Sequence, residues 1–393
     1  MNMPFLLLLL PFVGIAWAQD PGLPLECEPG EKAVIFVEAE TSPGQFRKLR
    51  MVLDTGAKLC VVDPRVARGI LGGLPKQGSA TGFANRPRPV QLRTLKRLRV
   101  GSVVQQDVPV MVMNLAERNR WLDEPIDGLL GMSFLEGRCF LVDPGRAWFQ
   151  WEGTHSPSCA FPLVRDNGYF YTSVQMGGEQ VRALLDTGAG GGFIISHAPR
   201  GTLFSDACEI GSGTDGVVRI GKTRMDLRLF GDTFLQRPVL VGGGAGAIVG
   251  AAFLLAGPTR FDFHRDALSL PLDGDGRLLR SPLLPKETFF PILWNRKKAD
   301  AFLEVAPLPA CHRWYQAGFR EGDRIVAVGE LVPPLLNLTR INLALRDGQI
   351  LAWKVQRGKE ILALNNPSED RWPDRLDLNA RRQQPFDPRA EAH

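Results

Sequence analysis

The chain has 393 residues, of which 44% are hydrophobic and 23% are charged, and its formal net charge is +5. This composition is typical of a globular protein that can bury large cores, so a mainly disordered chain is excluded. The basic residues are spread among acidic ones and form no basic stripe interleaved with aromatic residues. We therefore expect no nucleic-acid partner.

The chain begins with a short apolar segment. The run from Pro4 to Ala18 is too short to span a bilayer, and it ends in Ala-Trp-Ala, a pattern typical of signal-peptide cleavage sites. We therefore predict a signal peptide over residues 1–18, export to the periplasm or the medium, and no stable membrane span after cleavage. A retained membrane anchor is the alternative, because only the α-amino group supplies positive charge before the apolar run.

Six cysteines follow this segment, and an exported protein can oxidise them. Six cysteines allow many pairings, so the sequence leaves their connectivity open. Cys139 and Cys159 flank a junction in the chain and are the first choice for a pair. The sequence contains no C-x-x-C motif and no cluster of cysteines and histidines, so it predicts no metal site.

The sequence repeats itself around two motifs of the form Asp-Thr-Gly-Ala. The first, in MVLDTGAKL, contains Asp54, and the second, in ALLDTGAGG, contains Asp186. Each motif follows a β-rich run and a glycine-containing turn signal, which predicts the same hairpin twice. Downstream, GLLGMSFL in the first copy matches AIVGAAFL in the second. We therefore predict a duplicated unit, with a first repeat over residues 30–152 and a second repeat over residues 160–272.

Both repeats are predicted to be mainly β, because short strand-like runs and Gly/Pro turn signals recur while few residues fit a helical period. The segment over residues 239–257 is long and uncharged enough to resemble a membrane span. Its glycine-rich first half is a poor helix former, and the segment aligns with part of the first repeat. We therefore expect no membrane span there.

A carboxylate at the end of an apolar strand is unusual unless it has a chemical role. If the repeats bring Asp54 and Asp186 together, two carboxylates about 4 Å apart repel by about 4 kcal/mol at an effective dielectric of about 20. Such a pair holds one proton over a wide pH range. The ionised member can take a proton from water while the protonated member hydrogen-bonds a scissile carbonyl. The residues expected to hold this geometry are Thr55, Gly56, Thr187 and Gly188.

The duplicated unit resembles the aspartic proteases of the pepsin and retropepsin type, in which two β-rich lobes each supply one Asp-Thr-Gly and one hydrophobic-hydrophobic-Gly segment. The resemblance covers residues 30–272 and is closest to bacterial retropepsin-like units, here joined in tandem. It implies a bilobal, mainly β fold, catalytic Asp54 and Asp186, polypeptide substrates, a monomeric catalytic unit, and no metal or organic cofactor. The hydrophobic-hydrophobic-Gly elements are Leu129, Leu130, Gly131, Ile248, Val249 and Gly250.

Two features depart from the pepsin pattern. Ala57 and Ala189 stand where pepsins have Ser or Thr after the triplet, which removes a hydroxyl donor and favours a less acidic pH optimum. The first repeat also has no tyrosine to match the one in the pepsin flap. The predicted flaps are glycine-rich tips at residues 78–85 and 211–216. The flap candidates within them are Gly82, Phe83 and Gly213.

The C-terminal part resembles a PDZ domain. AGFREGDRIVAVGE and the later ALRDGQILAWKVQRGKEILAL are similar to the turn, strand, helix and closing hairpin of PDZ domains in bacterial exported proteases. The resemblance covers residues 290–365, here named the C-terminal module, and implies a small α+β domain that binds an extended peptide or a peptide C-terminus. A packing module without peptide affinity is the alternative. Residues 366–393 lack periodicity and are predicted to be disordered.

These features together predict an exported aspartic endopeptidase with a PDZ-like module. The alternative from another functional class is a catalytically inactive protease-fold protein that binds peptides or serves as a scaffold. A cleft of this kind can persist without turnover, so the fold alone does not separate the two readings.

Overall fold

The structure is a computed structural model. It describes residues 22–27, 32–82, 86–152, 160–176, 178–198, 209–213, 216–244, 246–272, 278, 292–296, 301–308, 312–346 and 351–366. Within these ranges the protein is mainly β, which confirms the predicted class, and its helices are few and short. None of the described helices has the length and hydropathy needed to cross a membrane. The predicted signal peptide, and the predicted tail beyond residue 366, lie outside the described residues.

The first repeat is built from short strands with three helical turns between them. Its strands are β1 (Leu23–Glu26), β2 (Val34–Ser42), β3 (Gln45–Leu53), β4 (Cys60–Val62), β5 (Leu71–Ala80), β6 (Arg88–Val100), β7 (Val103–Val112), β8 (Gly128–Leu130), β9 (Cys139–Asp143) and β10 (Trp148–Trp151). Its helices are α1 (Pro64–Ala67), α2 (Ala116–Asn119) and α3 (Met132–Leu135). The hairpin of β2 and β3 turns at Gly44, whose φ of 76° suits glycine, and it ends at Asp54.

The second repeat has the same order of hairpins. Its strands are β11 (Phe161–Pro162), β12 (Val164–Asp166), β13 (Tyr169–Met176), β14 (Glu179–Asp186), β15 (Phe193–Ile195), β16 (Glu209–Gly213), β17 (Gly216–Leu229), β18 (Asp232–Val241), β19 (Ala247–Gly250), β20 (Thr259–Asp262) and β21 (Ala267–Ser269), with one short helix, α4 (Ala251–Leu254). The segment that resembled a membrane span forms the end of β18, then β19 and α4. It is therefore divided among short elements.

One sheet joins the two repeats. β9 of the first repeat pairs antiparallel with β20 of the second, so that Phe140 lies opposite Phe261 and the two rings stack with centroids 5.1 Å apart. The sheet continues through β21 to β11 on one side and through the first repeat on the other, giving 13 strands among the described residues. The rest of the second repeat forms an eight-stranded sheet. The shared sheet therefore connects the two repeats that carry the Asp-Thr-Gly loops.

The described cysteines of this region include two buried free thiols. Cys60 is fully buried, and its Sγ accepts the N–H of Gly131 at 3.3 Å. Cys139 is a free thiol and not half of a disulfide, and it accepts a hydrogen bond from Arg260 Nε at 3.2 Å. Cys159, the expected partner of Cys139, lies outside the described residues. Burial raises the pKa of both thiols, so they stay neutral and pack as small hydrophobic side chains.

The C-terminal module is a five-stranded antiparallel sheet with two helices. The strands are β22 (Ile292–Asn295), β23 (Phe302–Val305), β24 (Arg324–Val328), β25 (Ala352–Arg357) and β26 (Glu360–Asn365), and the helices are α5 (Arg313–Gln316) and α6 (Leu338–Arg346). It has its own core, in which Trp314, Phe319 and Trp353 pack edge to face and tilted. This core is separate from the large hydrophobic core of the repeats.

A loop of the first repeat binds the start of α6. The carboxylate of Asp123 accepts the N–H of Leu338 at 2.7 Å and that of Thr339 at 2.8 Å, so it caps the helix from outside the module. Asp123 also accepts the indole N–H of Trp294 at 2.9 Å. Nearby, Arg120 donates to Glu304 at 2.6 Å. The module is therefore held to the loop that follows α2.

Replacing Asp123 by alanine should loosen the start of α6, because the part-buried N–H of Leu338 and the exposed N–H of Thr339 lose their carboxylate acceptor. A charged helix cap contributes about 1–3 kcal/mol. We therefore expect amide hydrogen exchange at Leu338 and Thr339 to accelerate by about 10- to 100-fold. Exchange measured by mass spectrometry on the full chain tests this, with Glu124→Ala, which removes an exposed neighbouring carboxylate, as the matched control. Unchanged exchange in Asp123→Ala would contradict the capping role.

Candidate functional site

The two Asp-Thr-Gly loops meet between the repeats. A Cβ added to Gly56 would lie 2.3 Å from the carboxyl carbon of Asp186, and a Cβ added to Gly188 would lie 2.3 Å from that of Asp54. The glycine of each loop therefore lies directly against the carboxyl group of the other, an approach that a side chain would block. The structure thus places both aspartates in a single site.

Each carboxyl group is oriented by its own loop. Asp54 Oδ1 accepts the N–H of Gly56 at 3.1 Å. Asp186 Oδ1 accepts two, from Gly188 at 2.8 Å and from Ala189 at 3.0 Å. The alanine after the second triplet therefore contributes a backbone donor, although it has no hydroxyl. The second carboxyl group receives one more of these donors than the first, so the two aspartates are not equivalent.

The two threonines bind across the boundary between the repeats. Thr55 Oγ1 donates to the carbonyl oxygen of Leu185 at 2.8 Å and accepts the N–H of Thr187 at 3.1 Å. Thr187 Oγ1 donates to the carbonyl oxygen of Leu53 at 2.7 Å and accepts the N–H of Thr55 at 3.1 Å. Both threonines are buried. These reciprocal hydrogen bonds fix the distance and orientation of the two loops.

The hydrophobic-hydrophobic-Gly segments lie beside the strands that carry the aspartates. β8 pairs in parallel with β3, and β19 pairs in parallel with β14. The predicted members of these segments are all buried: Leu129, Leu130, Gly131, Ile248, Val249 and Gly250. A Cβ on Gly131 would lie 2.5 Å from the carbonyl oxygen of Leu59, and one on Gly250 would lie 2.1 Å from that of Gly191. Both glycines therefore let the loop after the triplet pass closely.

Burial and the facing charge alter the protonation of the pair. The pKa of Asp186 is raised to about 7, first because the carboxyl group is buried and then because Asp54 is negative. The N–H of Gly188 and the positive charges of Arg118 and Lys32 act in the opposite direction. The coupled pair therefore keeps one proton, and carries about one negative charge, as the pH approaches about 7.

Sequence reasoning missed two cations that border the site. Arg118, on α2, donates from Nη2 to the carbonyl oxygen of Gly188 at 3.3 Å. Lys32, just before β2, lies against Gly190: a Cβ on that glycine would be 3.3 Å from Lys32 Cε. Burial lowers the pKa of Lys32 to about 7, and Arg118 lowers it too, whereas both aspartates raise it. Neither cation belongs to a motif, so only the alignment of the two hairpins could have drawn attention to Lys32.

The flap candidates lie at the ends of two hairpins. Gly82 follows β5, which pairs with β6. Gly213 is the last residue of β16 and pairs with Gly216 of β17. Phe83, the candidate for the tip of the first flap, lies outside the described residues, as do residues 214–215. The structure therefore describes the strands that would carry both flaps.

Comparison with known proteins agrees with the geometry of the first repeat. A family model described as aspartyl protease matches residues 37–134, a stretch that contains Asp54 and Gly131. No curated protein matches the chain significantly. Residues 37–134 are thus similar to the aspartyl-protease family, and this similarity supports a protease, and hence a hydrolase, in general. The match ends before Asp186. The placement of Asp186 in the same site as Asp54 therefore rests on the contacts described above.

Proposed function

We propose that the protein is an exported aspartic endopeptidase in which Asp54 and Asp186 share one proton and activate a water molecule. The observation that carries this proposal is the reciprocal contact of each loop glycine with the opposite carboxyl group, which brings two carboxyl groups from two repeats into one site. The aspartyl-protease family match over residues 37–134 supports the same chemistry. Substrates are extended polypeptides.

The reaction needs one carboxylate and one carboxylic acid. Asp54 acts as the carboxylate and takes a proton from water as the water oxygen attacks the scissile carbonyl carbon. Asp186, which keeps its proton because its pKa is raised, donates a hydrogen bond to the carbonyl oxygen. When the tetrahedral intermediate collapses, the C–N bond breaks and the proton taken by Asp54 passes to the leaving amine. No covalent intermediate forms between enzyme and substrate.

The C-terminal module is proposed to be PDZ-like and to bind an extended peptide or a peptide C-terminus. Support comes from its antiparallel sheet and from α6. A packing module is the second candidate, because Asp123 of the first repeat already caps α6. A pull-down of unbiased C-terminal peptide libraries by the full chain distinguishes the two, since only a PDZ-like module enriches a common C-terminal sequence.

The proposed activity is tested with the mature chain, which begins at Gln19 if the signal peptide is removed after Ala18. We expect the purified chain to cleave an unfolded protein mixture and to produce new termini that mass spectrometry can map. The double variant Asp54→Asn/Asp186→Asn should produce none. Equal fragment patterns from both proteins would exclude the proposal, and binding of unfolded chains without cleavage would favour the inactive scaffold. N-terminal sequencing of the exported protein tests signal-peptide removal.

Peptidase activity should persist towards neutral pH and fall as the pH rises through about 7. Because the pKa of Asp186 is raised to about 7, the shared proton remains on the pair below that pH and is lost above it. Without the proton, no acid is available to polarise the scissile carbonyl. A profile of kcat/KM from about pH 3 to about pH 9 measures this limb. A maximum at or below pH 3 would contradict the prediction.

A further inference from the structure

Lys32 and Tyr169 occupy equivalent positions in the two repeats. In each hairpin, one residue lies opposite the position two residues before the aspartate: Val34 in the first repeat and Tyr171 in the second. Counting back two residues from each gives Lys32 and Tyr169. The two-fold relation between the repeats therefore places a lysine on one flank of the aspartate pair and a tyrosine on the other.

Both residues are within electrostatic reach of the aspartates. Lys32 interacts with Asp186 and Asp54. Tyr169 interacts with the same two carboxyl groups, and its pKa is raised by burial, by Tyr171 and by both aspartates. The two flanks thus differ in chemistry, because one presents an ammonium group and the other presents phenol rings.

The lysine flank has a second cation. Lys32 lies over Gly190: a Cβ built on that glycine would be 3.7 Å from Lys32 Nζ. Because glycine has no side chain, residue 190 does not cover the ammonium group. Arg118 reaches the same loop and donates to the carbonyl oxygen of Gly188, which is a neutral acceptor. Both cations therefore border residues 188–190. They repel each other, as the effect of Arg118 on Lys32 shows.

The charges on this flank do not balance. Sharing one proton leaves the aspartate pair with about one negative charge, whereas Lys32 and Arg118 bring two positive charges when both are protonated. Lys32 has three donor positions and Arg118 has five. Among the described residues, the carboxyl groups that act on Lys32 are those of Asp54 and Asp186 alone. A further carboxylate bound beside residues 188–190 would offset the excess positive charge.

We propose that Lys32 and Arg118 form a subsite for a carboxylate of the polypeptide substrate, beside residues 188–190. The subsite deepens the proposed function and rests on it. The occupant is an acidic side chain, Glu or Asp, at one fixed position near the scissile bond. On the opposite flank, Tyr169 and Tyr171 favour an apolar or aromatic side chain. A substrate therefore binds in one chain direction, with its acidic residue on the lysine side.

The proposal is tested with pairs of internally quenched peptides that share one apolar scissile core and differ by a single Glu or Gln, placed in turn at each flanking position. For the wild type we expect kcat/KM to be about 10- to 100-fold higher for Glu than for Gln at one position, because charged hydrogen bonds in a partly buried site are strong. A second arm compares peptides with a free or an amidated C-terminus. If kcat/KM is higher for the free C-terminus but does not differ between Glu and Gln, the subsite binds terminal carboxylates, and the side-chain assignment is overturned.

Variants separate the subsite from general effects on the aspartate pair. Lys32→Met and Arg118→Met should each reduce the Glu preference, which is the ratio of kcat/KM for the Glu peptide to that for the Gln peptide, to about 2-fold or less, and Lys32→Arg should retain it. The ratio is the readout because both cations also act on Asp186, and that effect is common to the two peptides. Lys48→Met, at an exposed lysine over Phe36, is the charge-matched control. Equal losses for the Glu and Gln peptides in Lys32→Met would overturn the subsite, since Lys32 would then act through the aspartate pair alone.

The same peptides distinguish failure of the subsite from failure of the proposed activity. Cleavage of Gln peptides without any Glu preference would leave the peptidase intact and reject the subsite. If no peptide is cleaved, fluorescence anisotropy compares binding of each Glu and Gln pair to the wild type and to Lys32→Met. Tighter binding of Glu that is lost in Lys32→Met supports the subsite in the absence of turnover, and equal binding rejects it.

Discussion

Asparagine in place of either Asp54 or Asp186 is expected to lower kcat by on the order of 1,000-fold, and both substitutions together should cost little more than one. The reason is that the two carboxyl groups act as a unit that shares a proton. Asparagine at one position keeps the shape of the side chain but leaves a single carboxyl group, which must then supply both the base and the acid. Because the first substitution already abolishes the shared acid–base mechanism, the second should lower kcat little further.

The measurement is a cycle of kcat values for the wild type, the two single variants and the double variant. Asp143→Asn is the matched control, because Asp143 ends β9, where it accepts the N–H of Arg146, and does not belong to the site. The thermal unfolding midpoint should not fall in the single variants, since each removes one of two carboxyl groups that repel each other. Losses that multiply in the double variant would show that the aspartates act independently.

Thr187→Val is expected to lower the free energy of unfolding by about 2–6 kcal/mol and to reduce activity strongly. Valine has nearly the shape of threonine, but it removes the donor to the carbonyl oxygen of Leu53 and the acceptor for the N–H of Thr55. Two buried backbone groups then lose a partner, at about 1–3 kcal/mol each. Because these bonds run between the repeats, their loss also frees the two carboxyl groups to move relative to each other.

Serine at the same position is the matched variant. Thr187→Ser keeps the hydroxyl group and removes only a methyl group, so it should retain most of the activity and lose about 1 kcal/mol or less. Denaturant unfolding and kcat, measured together for wild type, Val and Ser, test the prediction. Similar losses in Thr187→Ser and Thr187→Val would show that the methyl group, and not the hydrogen bonds, matters at this position.

The features that a short stretch of sequence specifies could be predicted. Strand alternation and glycine turns are local, and they predicted the hairpins that end at Asp54 and Asp186 and the mainly β class. The repeated triplet also led to the expectation that Thr55 and Thr187 hold the geometry of the aspartate pair, and in the structure each donates a hydrogen bond to a strand of the other repeat. Repetition was informative here because matching residues in two copies of one unit occupy equivalent positions in the fold.

Features that depend on distant parts of the chain could not be predicted in this way. The pairing of Phe140 with Phe261 joins two strands that are far apart in sequence, and nothing in the sequence of either strand indicates which strand it pairs with. Arg118 lies on a helical turn without any motif and reaches Gly188 only through the tertiary fold. Local rules also could not predict that Asp123 caps α6, since they look for a cap in the residue immediately before a helix.

The pairing of β9 with β20 also has a consequence for how the site assembles. Both strands belong to one chain, so bringing the two aspartates together is a first-order event whose equilibrium does not depend on protein concentration. Dilution should leave the specific activity constant, whereas a site built from two separate chains would lose activity below its dissociation constant. The protein could therefore work at the very low concentrations at which a dimeric site falls apart.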